Sequence, residues 1–193
     1  LYKELQNYFP EENLELLKKY YLSNSIISQK YYIYYDIIKQ LLKKTNVQHI
    51  PIKGKYMIEN YYKDGGCRPI TDIDILISAS DITRIINIFK EQQIISLDNY
   101  PDNFYEKYLI SRAFKNSSEV GNALIDVHYA LINNKILPFK YLISEDINFE
   151  KFINTNNQSL ILVFHSIHLF KHSFSRMIWL YDIYLIIKTN NID

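Results

Sequence analysis

The stretch IPIKGK at residues 50–55 and the stretch RPITDIDILI at residues 68–77 decide the fold of this chain. The first predicts a short apolar strand that ends at a lysine–glycine turn, where a helix begins. The second predicts a strand that carries Asp72 and Asp74 one residue apart. Because side chains alternate between the two faces of a strand, both carboxylates point the same way and the isoleucines fill the opposite face.

The two aspartates are an unusual pair in an apolar strand. Like charges on one face repel each other, and a divalent cation between the carboxylates would remove that repulsion. Taken alone, however, the alternation of Asp72 and Asp74 with isoleucine also fits a half-buried strand whose polar face meets water. The pair therefore indicates a metal site only if another acid lies nearby.

A third acid supplies that support. Asp126 lies in LIDVH at residues 124–128, again inside an apolar stretch that predicts a strand. If this strand lies beside the first, Asp126 joins Asp72 and Asp74, and three carboxylates favour metal ligation over a salt-bridged acid. His128 shares the face of Asp126, and we expect it to hydrogen-bond a metal ligand rather than to bind the metal itself.

The lysine–glycine turn predicts a phosphate site beside the acids. A helix that opens at Gly54 offers free backbone N–H groups and the positive end of its dipole to an anion. We expect Lys53, Lys55 and Arg68 to add charged contacts to phosphate oxygens. The alternatives are a solvated Lys53, an Arg68 that pairs with an aspartate, and a Lys55 that points to solvent.

Three histidines share one face of a predicted C-terminal helix. His165, His168 and His172 stand at positions i, i+3 and i+7. This spacing can build a zinc site, and with it a metal hydrolase, but no glutamate follows His168 to complete the metalloprotease motif. We expect instead a packed face that lines the cleft, in which His168 and His172 support the metal ligands through hydrogen bonds.

The composition of the chain argues against some classes of function. A net charge of +1 over 193 residues gives no electrostatic case for nucleic acid or for a membrane surface. The longest apolar run near the C-terminus, residues 177–187, is too short for a membrane span and contains Asp182. Cys67 is the only cysteine, which fits a reducing compartment, so the expected location is cytoplasmic.

The order of the predicted elements indicates an α+β protein. Hydrophobic periodicity predicts helices over residues 11–45 with a break near residues 23–25, then a small mixed β-sheet with flanking helices, then two C-terminal helices. We expect one compact unit of three segments: an N-terminal helical segment (1–46), a sheet-bearing core (47–135) and a C-terminal helical segment (136–193).

The ordered set of motifs resembles one superfamily. Gly54, the triplet Asp72-Ile73-Asp74 and Asp126 on a later strand are similar to the DNA polymerase β-like nucleotidyltransferases. More narrowly, the chain from about residue 47 to residue 188 resembles the bacterial uncharacterised nucleotidyltransferase family. The narrower resemblance is carried by Lys53-Gly54, Arg68-Pro69, Asp72-Ile73-Asp74-Ile75-Leu76, Ile125-Asp126-Val127-His128, His168, His172, Trp179 and Asp182.

The resemblance implies the polymerase β-like fold for the core and chemistry at two Mg²⁺ or Mn²⁺ ions. A nucleoside monophosphate would pass from a nucleoside triphosphate such as ATP to a hydroxyl of a small molecule or a protein. Asp72 and Asp74 would hold both metals, and Asp126 would hold the catalytic metal and help to deprotonate the acceptor. The region of Gly54 would bind the triphosphate.

Two features depart from the superfamily pattern. Members usually carry Gly-Ser at the turn, and this chain has Gly54-Lys55. The interval from Gly54 to Asp72 is also longer than usual. These departures keep an alternative open, in which the same fold binds nucleotide or a partner protein, as an antitoxin does, with weak turnover or none.

Overall fold

A mixed sheet with helices on both faces forms the described part of the chain, in a computed structural model. The α+β prediction with a small mixed sheet is confirmed. The structure describes residues 8–98, 100–101, 104, 109–116, 123–131, 149–150, 152 and 158–190. The helices are α1 (Glu11–Lys44), α2 (Lys53–Tyr61), α3 (Ile82–Glu91), α4 (Gln158–Lys171) and α5 (Met177–Thr189). The strands are β1 (His49–Pro51), β2 (Ile73–Ile77), β3 (Ile94–Ser96), β4 (Ser111–Asn116) and β5 (Ala123–His128).

The strand order places the two predicted acid strands side by side. The sheet runs β1-β2-β5-β4-β3, and β2 pairs with β5 in parallel while the other neighbours are antiparallel. In the parallel pair, Asp74 lies directly opposite Asp126. Because opposite residues on neighbouring strands share a face, this register brings two carboxylates together on one side of the sheet.

The isoleucines between the acids fill the opposite face, as the alternation predicts. Ile73, Ile75 and Ile77 are all within 2% of full burial and belong to the main hydrophobic core. Full burial of such a side chain contributes roughly 1.5–3 kcal/mol, so this face fixes the register of β2. The helices that cover it contribute Tyr34, Tyr35, Ile38 and Leu42 from α1 and Ile85, Ile88 and Phe89 from α3.

The acid-bearing face carries the C-terminal helices. Leu76, two residues after Asp74, packs with Ile52 and with Phe164 of α4. A third cluster joins α2, α4 and α5 through Met57, Ile161 and Ile186. The carboxylates therefore lie on the same side of the sheet as α2, α4 and α5.

The expected break near residues 23–25 is wrong, because α1 is one continuous helix of 34 residues. Its serines do not compete with the helical backbone. The hydroxyl of Ser25 donates to the carbonyl of Tyr21 one turn earlier, and that of Ser28 donates to the carbonyl of Gly65 in a neighbouring loop. With these hydroxyls satisfied and no proline or glycine present, nothing stops propagation of the helix.

One strand boundary also differs from expectation. Asp72 precedes β2, which begins at Ile73, and so it is not held by the strand ladder. Residues 136–148 of the expected third segment lie outside the described residues, and the division into three segments stays a prediction. Within the described helices, none has the length and apolar character needed to cross a membrane.

Candidate functional site

A cavity of about 400 Å³ opens on the acid-bearing side of the sheet. It lies where the turn between β1 and α2, the start of β2 and the helices α4 and α5 meet. Most of the residues singled out from the sequence line it: Lys53, Gly54, Arg68, Asp72, Asp74, Asp126, His168 and His172. The separate sequence motifs therefore form one site.

Three side chains in this site form a compact group of ligand atoms. Asp74, Asp126 and His128 each offer one atom, and these atoms lie within 4.8 Å of one another. The parallel register supplies the first two, and His128 follows two residues later on the same face of β5. Among the described residues, this is the group that brings three such ligand atoms together.

The ammonium of Lys53 lies inside this group. Its Nζ is 2.6 Å from Oδ1 of Asp74, 3.5 Å from Oδ2 of Asp126 and 3.0 Å from Nε2 of His128. The backbone of Lys53 has a φ of 49°, a left-handed conformation that costs a non-glycine residue of order 1 kcal/mol or more. The strained backbone at this turn thus places the Lys53 ammonium beside Asp74 and Asp126.

Charge pairing decides the protonation of the group. Burial of Asp74 opposes its ionisation, but the Lys53 ammonium and His128 lower its pKa below the ordinary range. Burial also opposes ionisation of Asp126, and His128 and Lys53 lower its pKa too. Burial of Lys53 favours its neutral form, yet the two carboxylates raise its pKa. At neutral pH both aspartates are therefore anionic and Lys53 is cationic.

His128 belongs to the same network. Its Nε2 lies 2.8 Å from Oδ2 of Asp126. Burial and the Lys53 ammonium oppose protonation of His128, but its contacts with Asp126 and Asp74 outweigh them and raise its pKa. Its Nδ1 is buried and, among the described residues, has no hydrogen-bond partner. The histidine hydrogen-bonds a candidate metal ligand, as expected, and also lies close enough to act as one.

Asp72 lines the cavity outside this group of three. Its carboxylate accepts a hydrogen bond of 3.2 Å from the hydroxyl of Thr71. Burial, followed by repulsion from Asp74, raises the pKa of Asp72 to about 6. Asp72 is therefore the acid of the site that most lacks a cation.

Arg68 is held by a buried aspartate of α5. Its Nε donates to Oδ1 of Asp182 at 2.9 Å and its Nη2 donates to Oδ2 at 2.7 Å, a two-bonded arrangement of fixed geometry. The side chains of Arg68 and Asp182 are 6% and 0% exposed. The hydroxyl of Tyr62 donates a further bond of 2.7 Å to the same carboxylate. Asp182 thereby ties α5 to the site.

Gly54 is needed for this arrangement because of space. A Cβ at Gly54 would lie 3.1 Å from Nη1 of Arg68 and 3.2 Å from Cγ1 of Ile70. Since the Arg68 guanidinium is clamped by Asp182, it cannot easily withdraw. The glycine therefore lets the guanidinium approach the first turn of α2.

Lys55 faces away from the cavity and does not line it. Its ammonium pairs with Glu59 on the next turn of α2 and lies over the rings of Tyr32 and Tyr35, at 4.1 and 4.5 Å from their centroids. These contacts join α2 to α1. A contact between Lys55 and phosphate stays a prediction.

The histidine face also lines the cavity. His168 and His172 lie 4.6 Å apart between ring centroids, and Trp179 of α5 lies 4.6 and 5.0 Å from them. Within the part of the chain that the structure describes, these histidines form no group of three metal ligands. The packed face expected from the sequence is present, with an indole added to it.

Comparison with known proteins places the chain in a family. The model of the family described as "Uncharacterised nucleotidyltransferase" matches residues 2–193. The chain belongs to this family. No curated protein and no solved structure matches the chain significantly. The mixed sheet with flanking helices is consistent with a nucleotidyltransferase fold.

The donor set suits the divalent metal that nucleotidyltransferases usually use. Carboxylate oxygens are the ligands that Mg²⁺ and Mn²⁺ prefer, and an imidazole nitrogen is compatible with Mn²⁺. The Lys53 ammonium, already seated between Asp74 and Asp126, shows that the pocket accommodates a cation at this place. The residues present therefore fit a metal centre.

Sequence reasoning missed the role of two site residues. Asp182 binds Arg68, 114 positions away along the chain, whereas the sequence offered only an unspecified aspartate as one alternative partner of Arg68. The signal was an acid inside an apolar helix, which demands a partner without naming it. Lys53 was expected near phosphate, and nothing in the sequence indicates its left-handed backbone.

Proposed function

We propose that this chain is a metal-dependent nucleotidyltransferase that moves a nucleoside monophosphate from a nucleoside triphosphate to a hydroxyl. The observation that carries the proposal is the parallel register of β2 and β5, which sets Asp74 beside Asp126 at the cavity. A buried carboxylate beside a partly buried one in a member of a nucleotidyltransferase family supports metal-assisted chemistry on a triphosphate. The acceptor is a hydroxyl of a small molecule or a protein.

Asp74 and Asp126 would hold Mg²⁺ or Mn²⁺, and Asp72 would join them to hold a second ion. When bound, the ions orient the triphosphate, lower the pKa of the attacking hydroxyl and neutralise the leaving pyrophosphate. His128 keeps the Asp126 carboxylate in place through their 2.8 Å contact. The low pKa of Asp126 favours its role as a metal ligand over that of a general base.

The basic residues would bind the phosphates. Two positive charges cannot share one carboxylate pair at low cost, so the Lys53 ammonium is expected to turn from the acids to a phosphate oxygen when a metal enters. The first turn of α2 at Gly54 offers unpaired backbone N–H groups. Arg68, fixed by Asp182, would present the remaining edge of its guanidinium to the phosphates. In the reaction the hydroxyl loses its proton to water, its oxygen bonds to the α-phosphorus, the bond from that phosphorus to the bridging oxygen breaks, and pyrophosphate leaves.

Pyrophosphate release tests the proposal. The purified chain, given Mg²⁺ or Mn²⁺, one of the four nucleoside triphosphates and a panel of hydroxyl compounds, should release pyrophosphate. The variants Asp74→Asn and Asp126→Asn should lose release by a factor of 100 or more, of the order seen when electrostatic stabilisation of a transition state is removed, roughly 10²–10³. Asp36→Asn, on the exposed side of α1, is the matched control and should keep full activity. Unchanged release in the Asp74 and Asp126 variants would refute the proposal.

A second candidate is a nucleotide-binding or partner-binding module with weak turnover or none. Two observations favour this candidate. The Lys53 ammonium already neutralises the acid group, and Lys55 contacts Glu59 at the position where superfamily members usually carry serine. This candidate predicts that calorimetry detects triphosphate binding with Mn²⁺ while no acceptor yields pyrophosphate. Robust release with any acceptor would exclude it.

A further inference from the structure

Part of the cavity wall is built from rings. We call His168, His172, Arg176 and Trp179 the indole wall. The two imidazoles lie 4.6 and 5.0 Å from the indole, between ring centroids, and Cζ of Arg176 lies 5.3 Å from the indole centroid. All four residues line the same cavity as Asp74 and Asp126.

The wall suits a flat, uncharged group that is attached to an anion. Burial, with further repulsion from Lys53, lowers the pKa of His168 to about 3, and burial also lowers the pKa of His172, so both imidazoles are neutral at pH 7. A neutral imidazole offers one N–H donor and one lone pair, which match the mixed edge of a nucleobase. Arg176 adds the only charge of the wall, and it is positive.

The position of the wall is fixed relative to the phosphate site. Trp179 lies three residues, about one helical turn, before Asp182, whose carboxylate clamps Arg68 at 2.7 and 2.9 Å. The clamp is fully buried. A ligand that contacts the acids and Arg68 therefore meets the indole wall at a constant distance.

We propose that the indole wall binds the nucleobase of the nucleoside triphosphate, with the base stacked on Trp179. The inference rests on the proposed function, because the acids must hold the triphosphate for its base to reach the indole wall. A volume of about 400 Å³ lies within the range of small-molecule sites, and a nucleotide has its charge at one end and its flat ring at the other. The lining of the cavity likewise includes both the charged groups and the indole wall.

The single tryptophan of the chain makes the test direct. ATP, GTP, CTP and UTP, each added with Mn²⁺, should change the fluorescence of Trp179 saturably if a base stacks on it. Inorganic tripolyphosphate, which has the phosphates without a base, should bind by calorimetry with a much smaller change in fluorescence. The comparison separates the base from the phosphates.

Variants complete the test. Trp179→Ala should lower the affinity for the nucleoside triphosphate that binds best roughly tenfold, since one base–aromatic stack contributes about 1–3 kcal/mol. The same variant should leave tripolyphosphate affinity unchanged, and Trp179→Phe should recover part of the loss. Tyr181→Ala is the matched control, because Tyr181 lies on the same helix, stacks with Tyr184 and does not line the cavity. Affinities are measured by calorimetry at one Mn²⁺ concentration.

Each remaining outcome contradicts the inference in a distinguishable way. Equal losses of affinity for triphosphate and for tripolyphosphate in Trp179→Ala would show that the wall contributes to phosphate binding or to the stability of the fold. No loss for either would place the base elsewhere. A change confined to the KM of the hydroxyl compound would make the wall an acceptor site. If neither triphosphate nor tripolyphosphate binds the unaltered chain, the proposed function fails and the inference falls with it.

Discussion

Lys53 does two things that a sequence pattern does not reveal. Its left-handed backbone follows the end of β1, and its ammonium neutralises the buried Asp74 and the partly buried Asp126. Two carboxylates side by side and largely shielded from water repel each other, and a cation at 2.6 Å from one of them offsets that cost. The lysine is therefore an internal counter-ion that a metal must displace.

Replacing Lys53 by methionine should raise the affinity of the chain for Mn²⁺ in the absence of nucleotide. The competing ammonium is gone, while a side chain of similar length still fills the space. We expect a gain of about tenfold or more, since removal of about 1.4 kcal/mol of competition is a factor of ten. Calorimetric titration with Mn²⁺ measures it, and the metal-free variant should melt at a lower temperature than the unaltered chain.

Lys55→Met is the control for that prediction. Lys55 is a buried lysine, 7% exposed, but its partners are Glu59 and two tyrosine rings rather than the acid group. Its loss should leave Mn²⁺ affinity unchanged. Equal Mn²⁺ affinity in Lys53→Met and in the unaltered chain would contradict the role given to Lys53.

The pairing of β2 with β5 shows what the pattern of side chains can and cannot predict. The alternation of apolar and acidic residues correctly predicts on which face of its strand an aspartate lies, because the period of two is a property of the backbone. Alternation says nothing about which strands are neighbours or in what register, and the opposition of Asp74 and Asp126 depends on both. The short strand β3 was not predicted, because three residues carry too little periodicity and, unlike β1, it has no glycine turn after it to mark its end.

The tie between α5 and the site is a second feature that depends on long-range packing. Replacing Arg68 by methionine should lower the free energy of unfolding by about 3 kcal/mol or more, because it leaves the fully buried carboxylate of Asp182 without its partner. Urea unfolding followed by circular dichroism measures the loss. The same variant should loosen α5 from the sheet.

A surface ion pair provides the comparison. Arg84, 53% exposed, pairs with Asp81 at 3.0 Å. Arg84→Met should change the free energy of unfolding by less than about 1 kcal/mol, since water screens such pairs. Losses of equal size in the two arginine variants would mean that the Arg68–Asp182 pair does not hold the helix.

Acid stability of the whole molecule should depend on buried neutral histidines. Burial lowers the pKa of His165 to about 4, whereas an unfolded histidine titrates near its ordinary value of 6.5. Between these values His165 is protonated in the unfolded chain and neutral in the folded chain. This group therefore makes the free energy of unfolding fall as the pH falls from about 6.5 to about 4. Asp72, whose pKa is raised to about 6, acts in the opposite direction.

His165→Asn isolates the histidine from the other groups. The free energy of unfolding of this variant should fall less steeply between pH 6 and pH 4.5 than that of the unaltered chain. The two slopes should differ by up to about 1.4 kcal/mol per pH unit. The measurement is a series of urea titrations across this range, and the slope is compared rather than the absolute stability. Parallel pH profiles for the two proteins would contradict a buried, neutral His165.

The fate of a labelled phosphate tests the central claim most directly. The chain is incubated with Mn²⁺, a hydroxyl acceptor that supports pyrophosphate release, and a triphosphate that carries the label on either the α- or the γ-phosphorus. We predict that the α-label becomes attached to the acceptor, that the γ-label leaves in pyrophosphate, and that Asp74→Asn abolishes both events. Attachment of the γ-label, or α-label transfer that persists in Asp74→Asn, would contradict nucleotidyl transfer at the pair Asp74 and Asp126.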